Sequence, residues 1–368
     1  MEPLRVLHIV THMNRGGLET MLMNCYRALD REAVQFDFLT HREGKKDYDD
    51  EILSMGGRIY HLPRLDPFSI PYRAAASRFF RSHTEYHTVH AHLDCMSAPV
   101  LGIAAANGVA QRIAHSHSTF AERTYALPVK LCFRKMIPRA ATRLLACSAG
   151  AGRFMFGNSP FEVIPNGIDT ERFDFSISLR ERVRAAEGLE HKFVIGHVGG
   201  FRPVKNHRFI IELFARIAEK RKDAHLLLVG DTFGRTDIGE TVKARGLEKR
   251  VTFAGVRTDV AALMCAMDVF VLPSLFEGLP VSLIEAQTNG LPCVVSEGVT
   301  EECRVTELVT RLPLDVSLWA DKVIAASFVP RRGHGREVLT AGYDVSVCAQ
   351  RLCDIYLGTG SEKMLSKV

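Results

Sequence analysis

Leu272-Pro273-Ser274-Leu275-Phe276-Glu277-Gly278-Leu279-Pro280-Val281-Ser282-Leu283-Ile284-Glu285-Ala286 joins the end of an apolar strand to the start of a helix. Val269–Leu272 reads as the strand. Pro280 fits the first helical turn, where its missing N–H costs little. Glu277 then lies in the loop before the helix, and Glu285 more than a turn inside it. A carboxylate only accepts hydrogen bonds and can take two hydroxyl donors at once. Two of them flanking a helix N-terminus can hold a sugar, a phosphate and a ribose in a row. Solvated surface glutamates are the alternative, opposed by the apolar Leu279-Pro280 between them and by the apolar helix that follows.

The same alternation of short apolar runs and longer amphipathic ones extends both ways. Strands are expected at Val6–Val10, Gln35–Leu39, Arg58–His61, Thr88–Ala91, Arg112–His115 and Leu144–Cys147, and again at Phe193–Val198, Ala224–Val229, Val251–Phe253, Val269–Leu272 and Cys293–Val295. Helical stretches such as Leu18–Leu29, Pro71–Arg81, Asn206–Arg221, Thr236–Arg245 and Val260–Met267 separate them. Unalternating strands between helices imply parallel sheets covered on both faces. The fold class is therefore α/β, with two Rossmann-like doubly wound domains. Residues 1–170 make the first and 171–344 the second, divided near Pro165-Asn166-Gly167-Ile168-Asp169. Residues 345–368 are a terminal segment whose helix is expected to pack back on the first. In such sheets ligands bind beyond the carboxyl ends of the strands.

Those strand ends carry the remaining candidates. Gly16 and Gly17 precede a helix, where free N–H groups favour an anion; a plain tight turn is the alternative. Gly199-Gly200-Phe201-Arg202-Pro203-Val204-Lys205 also precedes a helix and suits a phosphate-bearing ligand as well as it suits an exposed basic loop. No G-x-G-x-x-G dinucleotide fingerprint is present at either place. His115 and His117 share one face of a strand, a pattern that serves a metal or a sugar; no third ligand with convincing spacing stands out. His90 and His92 end another strand and read equally as core residues or as cleft residues.

Composition excludes several classes. Of 368 residues, 46% are apolar and 24% charged, which rules out a disordered or collagen-like chain. The net charge of +5 is too small to argue for nucleic acid. Nine scattered cysteines without a C-x-x-C pair make a disulfide framework or zinc site improbable. No apolar run approaches the length of a membrane span, and Met1-Glu2-Pro3-Leu4-Arg5 lacks the start of a signal peptide, so a cytoplasmic location is expected. Residues 112–153 hold eight Lys/Arg and one acid, Glu122. Within 123–143, Tyr125–Met136 reads as a basic amphipathic helix that can rest on an anionic membrane surface, peripheral on its inner face; a solvated basic face is the alternative.

The chain resembles the retaining glycosyltransferases of family four, which have the GT-B fold, in which two such domains face each other across a cleft. The resemblance rests on the E-x7-E pair Glu277/Glu285 and runs in order through Gly16-Gly17-Leu18-Glu19, His90-Ala91-His92, His115-Ser116-His117-Ser118, Ile164–Asp169, Val229-Gly230-Asp231, Phe253–Val260, Asp268–Ser274 and Gly290–Ser296. It implies that Glu277 touches the donor sugar and Glu285 the nucleotide ribose. Lys205 is implied to bind phosphate, Gly16 and Gly17 to close over the diphosphate, and His117 to contact the sugar. Arg257, with Leu279 and Pro280, is implied to line the nucleotide site. The family places an arginine where Gly200 stands; Arg202 either reaches the phosphates from a shifted position or part of that clamp is missing.

The implied reaction moves a sugar, with retention, from a nucleotide-diphosphate sugar (a UDP-sugar by family frequency) to a hydroxyl acceptor. A lipid-linked saccharide in cell-surface polysaccharide synthesis is the leading acceptor. The nucleotide-sugar is a co-substrate; no cofactor and no metal are expected. A nucleotide-sugar epimerase on the same architecture and a non-catalytic nucleotide-sugar-binding subunit are the competing readings.

Overall fold

The computed structural model describes residues 2–119, 125–326 and 330–359. The chain divides into two compact units, Met1–Gly167 with Val345–Val368, and Ile168–Asp344. The division falls inside the expected Pro165–Asp169 turn.

In the first unit the strands are β1 (Leu4–Ile9), β2 (Val34–Thr40), β3 (Ile59–His61), β4 (Thr88–Ala91), β5 (Gln111–Ser116), β6 (Arg143–Ala146) and β7 (Glu162–Val163). They form one sheet in the order β3-β2-β1-β4-β5-β6-β7, with parallel pairing throughout. β2 is buried at every position, including Asp37. That carboxylate is affordable in the interior because Arg5, the Arg58 amide (2.6 Å) and the Tyr86 hydroxyl (2.7 Å) all donate to it. The core gathers Val6, Tyr26, Phe36 and Ile113 with Leu352 and Tyr356 of the helix Val345–Leu357, so the end of the chain returns to this unit.

The second unit holds β8 (Phe193–Val198), β9 (Ala224–Val229), β10 (Val251–Gly255), β11 (Val269–Leu272), β12 (Cys293–Ser296) and β13 (Val309–Leu312). Its parallel sheet runs β10-β9-β8-β11-β12-β13. The helix His207–Lys220 lays Phe209, Ile210, Leu213, Phe214 and Ile217 into a core shared with Ile195, Val271 and Trp319. These positions form the 3.6-residue stripe of an amphipathic helix, within the Asn206–Arg221 stretch expected to be helical.

Both sheets reverse their strand order beside the first strand, between β1 and β4 and between β8 and β11. At such a switch point the connections leave in opposite directions and open a crevice at the strand ends. Two edge strands, β7 and β13, escape the sequence reading. β7 is two residues long, and β13 mixes Thr310 and Arg311 with its apolar ends.

Two guanidiniums staple the second unit: Arg180 donates to the Cys265 (3.0 Å) and Met267 (2.7 Å) carbonyls, and Arg331 reaches further. Arg331 donates to the carbonyls of Met264 (2.7 Å), Cys265 (3.0 Å), Met267 and Asn289 (3.1 Å) and lies 4.4 Å from the centre of the Phe175 ring. The first three are carbonyls of the last turn and C-cap of the helix Val260–Ala266, where the helix's own N–H groups run out; of them only Met264 O also accepts the Met267 N–H, at 3.2 Å. Each hydrogen bond to a charged donor is worth about 1.5–3 kcal/mol. Arg331→Met is therefore expected to destabilise the second unit by at least about 3 kcal/mol in chemical denaturation, and Arg331→Lys, which cannot fork, to recover less than half of that.

Candidate functional site

The loops that leave β8 and β11 meet at the switch point of the second unit. Leu275 N donates to Val204 O at 2.8 Å, tying the loop after β11 to the turn that carries Lys205. Glu277 N donates to Gly298 O at 3.0 Å, and Gly298 has no room for a Cβ because the Leu275 carbonyl lies against it. So fixed, Glu277 Oε1 stands 2.7 Å from Lys205 Nζ, both side chains more than four-fifths buried at 14% and 17% exposure. The ion pair unites two residues that the sequence places in separate loops.

Pro280 is the N-cap of the helix Val281–Thr288, one position earlier than expected, and Leu279 is buried beside it. Glu285 lies in the second turn of this helix at 9% exposure. Burial pushes its carboxyl up to about 7, against a smaller downward pull from the Arg172 guanidinium. Arg172 is held by the Thr258 carbonyl at 2.8 Å; sequence reading missed it, and only the fold brings it near.

Two candidates are placed differently from the rest. The guanidinium of Arg202 is exposed and lies 5.4 Å from the centre of the Phe233 ring, so the lysine and not the arginine meets Glu277. Phe233 also occupies the space beside Gly200, where a Cβ would come within 2.6 Å of its ring. A side chain in the family's arginine position would have to displace that ring. Arg257 is engaged by Asp259 (2.7 Å) and Glu187 (2.9 Å) and holds its proton more tightly for it.

In the first unit, Gly16 is the N-cap of the helix Gly17–Ala28 in extended backbone. Glu19 folds back so that its Oε2 fills the space a Cβ at Gly16 would need, and its Oε1 lies 3.5 Å from His12. A carboxylate thus already sits at the helix start that the sequence offers to an anion. His117 follows β5, half-buried, with both ring nitrogens engaged: Nδ1 lies 3.3 Å from Asn166 Oδ1 and Nε2 3.0 Å from His92 Nδ1. Burial lowers its pKa to about 4, so it is neutral at pH 7. His90 and His92 are buried, as the core reading has it, and His90 Nδ1 pairs with the Tyr356 hydroxyl at 2.7 Å. Sequence reading missed His8 and the pairing role of Asn166, because neither falls beside the His-x-His pattern.

The basic stretch forms the helix Leu127–Ala140, of which only Ile137 is fully buried. Arg134 turns inward, donating to the Phe154 carbonyl at 3.0 Å. Lys135, Arg139 and Met136 face solvent, and Phe133 contacts Phe68 (ring centres 5.8 Å), extending the patch to the exposed Phe68 and Ile70. Arg123 of the expected 123–143 segment lies outside the described residues. Among the described residues no helix is long and apolar enough to cross a membrane.

Comparison with known proteins agrees with this fold. The family model for glycosyl transferases group 1 matches residues 192–326, and that for glycosyltransferase family 4 matches residues 15–172. The putative glycosyltransferase EpsF of Bacillus subtilis (strain 168) is 39% identical over 368 residues, covering 96% of each chain. A UDP-Gal:alpha-D-GlcNAc-diphosphoundecaprenol alpha-1,3-galactosyltransferase of Escherichia coli is 37% identical over 147 residues, 39% of this chain and 38% of that one. Among solved structures, Anabaena Alr3699/HepE in complex with UDP and glucose superposes with a TM-score of 0.74 at 20% identity, covering 96% of this chain and 95% of that chain. At that identity the likeness speaks for a shared GT-B fold. With a relative matched along nearly its whole length and both units covered by family models, the chain belongs to the glycosyltransferases of group 1 and family 4.

Proposed function

We propose that this glycosyltransferase transfers a sugar, with retention, from a UDP-sugar to a lipid-linked saccharide during polysaccharide synthesis. The Lys205–Glu277 ion pair at the switch point of the second unit carries the reading. In the free protein each charge neutralises the other. A diphosphate draws the ammonium to itself and releases the Glu277 carboxylate to accept from sugar hydroxyls. As the sugar–phosphate bond loosens, negative charge grows on the leaving oxygens. Lys205 and the N-terminal end of the helix Val281–Thr288 stabilise it there, with no metal required. Glu285, inside that helix, takes the ribose hydroxyls. His117 contacts the sugar after giving up one of its present partners, and Gly16, Gly17 and Arg257 serve donor binding in lesser roles, with Arg202 an auxiliary phosphate contact.

The choice of donor and acceptor is supported by the relatives. HepE was crystallised with UDP and glucose, and the Escherichia coli enzyme is named for a UDP-galactose donor and a diphosphoundecaprenol-linked acceptor. The exposed patch of Lys135, Arg139, Phe68 and Ile70 suits a protein that collects its acceptor at an anionic membrane surface.

Three outcomes are expected. Lys205→Ala lowers transfer from UDP-sugar by a factor of about 10² or more while the fold is retained; equal rates in wild type and variant mark a binder rather than an enzyme, and product formed without any acceptor marks an epimerase. Glu285 accepts a hydroxyl at each oxygen only when ionised, so UDP affinity, read by calorimetry, falls as pH drops through about 7, by up to about tenfold per unit below it. The linked effect on stability has the opposite sense: the folded state binds the extra proton between about 4.5 and 7, so the burial cost grows as pH rises through that window. Glu285→Gln is thus expected to raise Tm relative to wild type at pH 8, to leave it nearly unchanged at pH 4, and to abolish the pH dependence of UDP binding. Finally, Lys135→Glu and Arg139→Glu each weaken flotation with anionic liposomes by roughly fivefold or more; flotation that ignores both charges removes the membrane contact from the reading.

A further inference from the structure

Five imidazoles converge at the switch point of the first unit: His8 on β1, His90 on β4, His92 just after it, His115 on β5 and His117 just after that. Ring centres are 4.2 Å apart for His90–His92 and for His115–His117, and 5.2 Å for His92–His117. Buried polar atoms are ordinarily hydrogen-bonded. Here Nε2 of His8 and Nε2 of His90 have no partner, and His115, at 2% exposure, reaches no side chain and has only the Ile164 backbone within range. The transfer chemistry placed in the second unit uses none of the five except His117.

The hydrogen bonds that do exist have a direction. Asn166 Oδ1 only accepts, so His117 Nδ1 carries the proton and His117 Nε2 is bare. His92 Nδ1 faces that bare nitrogen at 3.0 Å, and His92 Nε2 faces His8 Nδ1 at 3.1 Å. A histidine that ligates a metal presents one bare nitrogen and donates its other N–H to an acceptor. His117 already does so through Asn166. His92 does so once its proton sits on Nε2 and points at His8, a change of tautomer in His92 and His8 that releases no proton.

We propose that His92, His115 and His117 are a binding site for a divalent transition metal ion of the zinc class. Their ligand atoms all lie within 4.8 Å of one another. The 3.0 Å between His92 Nδ1 and His117 Nε2 is close to the ~3.3 Å edge of a tetrahedron with metal–nitrogen bonds of ~2.0–2.1 Å. Burial keeps all three imidazoles neutral, the form a metal needs. Three imidazoles suit zinc, copper or nickel and leave a fourth position for water or an anionic oxygen. His117, half-buried, supplies the way in. The deeper trio His8, His90 and His92 is also compact, but all three are fully enclosed and His90 is already held by Tyr356. The site shares His117 with the sugar contact proposed above but uses neither Lys205 nor Glu277, and it departs from the metal-free expectation for the family.

The full chain, purified without a polyhistidine tag and stripped with EDTA, is titrated with Co²⁺ and then Zn²⁺. One equivalent of Co²⁺ is expected to develop the visible absorption of a tetrahedral site, which Zn²⁺ bleaches. His115→Phe and the milder His117→Ala each weaken binding by at least about tenfold, and Asn166→Ala by about tenfold, while Asn166→Asp, which keeps the acceptor, retains it. Circular dichroism and cooperative thermal unfolding establish that each variant is folded. The proposal is overturned if wild type takes up no stoichiometric Co²⁺ or if binding persists in folded His117→Ala. Loss of binding in His90→Phe but not in His117→Ala overturns it as well, since the ion then belongs to the deeper trio.

Discussion

The reversal of strand order beside β1 and beside β8 is the constraint on which the rest depends. A parallel sheet that winds both ways from one strand leaves a crevice where the two windings part. Loops from neighbouring strands must meet there, and their side chains become the floor of a site. In the second unit these loops follow β8 and β11, and they bring Lys205 to Glu277. In the first unit β1, β4 and β5 bring five histidines together. Residues far apart in sequence become neighbours because the winding leaves them no other place.

What the crevice of the second unit can do follows from its charge. A lone buried lysine or glutamate is expensive, and the pair lowers that cost for both. Such a pair balances its own charge but leaves Glu277 Oε1 without a well-aligned hydrogen bond, and it is divisible by a ligand that offers an anion to one member and hydroxyls to the other. A nucleotide-sugar offers both along its length. Glu285 forms no such pair: the Arg172 guanidinium offsets only part of the burial cost, and the Glu285 proton is held to about 7. The two carboxylates of one motif thus sit in different electrostatic states, which a shared spacing in sequence does not reveal.

Much of this was legible in the residues. The apolar runs at Thr88–Ala91, Phe193–Val198, Ala224–Val229 and Val269–Leu272 mark their strands to the residue, because strands buried on both faces leave little room for polar interruption. β13 did not stand out, since an edge strand tolerates Thr310 and Arg311. Glu277 and Lys205 were visible as candidates, but their contact depends on the Leu275–Val204 backbone bond and on the room Gly298 leaves, which only the fold supplies. In sequence Arg202 stands where it could replace the family arginine; the ring of Phe233, 31 residues further along the chain, holds it instead. Long-range packing of this kind leaves no local signature in sequence.

The two crevices share a topology and differ in chemistry, and the difference lies in what each presents to a ligand. The second offers full charges, poised for exchange with a phosphate. The first offers neutral imidazoles, because burial disfavours their protonation and no carboxylate takes part in their hydrogen-bond chain from Asn166 to His8. Neutral imidazoles have lone pairs to give and little attraction for an anion by themselves. Glu19, lying over Gly16 at the start of the neighbouring helix, adds to that bias against anions. A phosphate is therefore better served by the second crevice. The first is suited to hydroxyl-bearing or electron-pair-accepting ligands, and a sugar hydroxyl and a metal ion are two that fit those lone pairs.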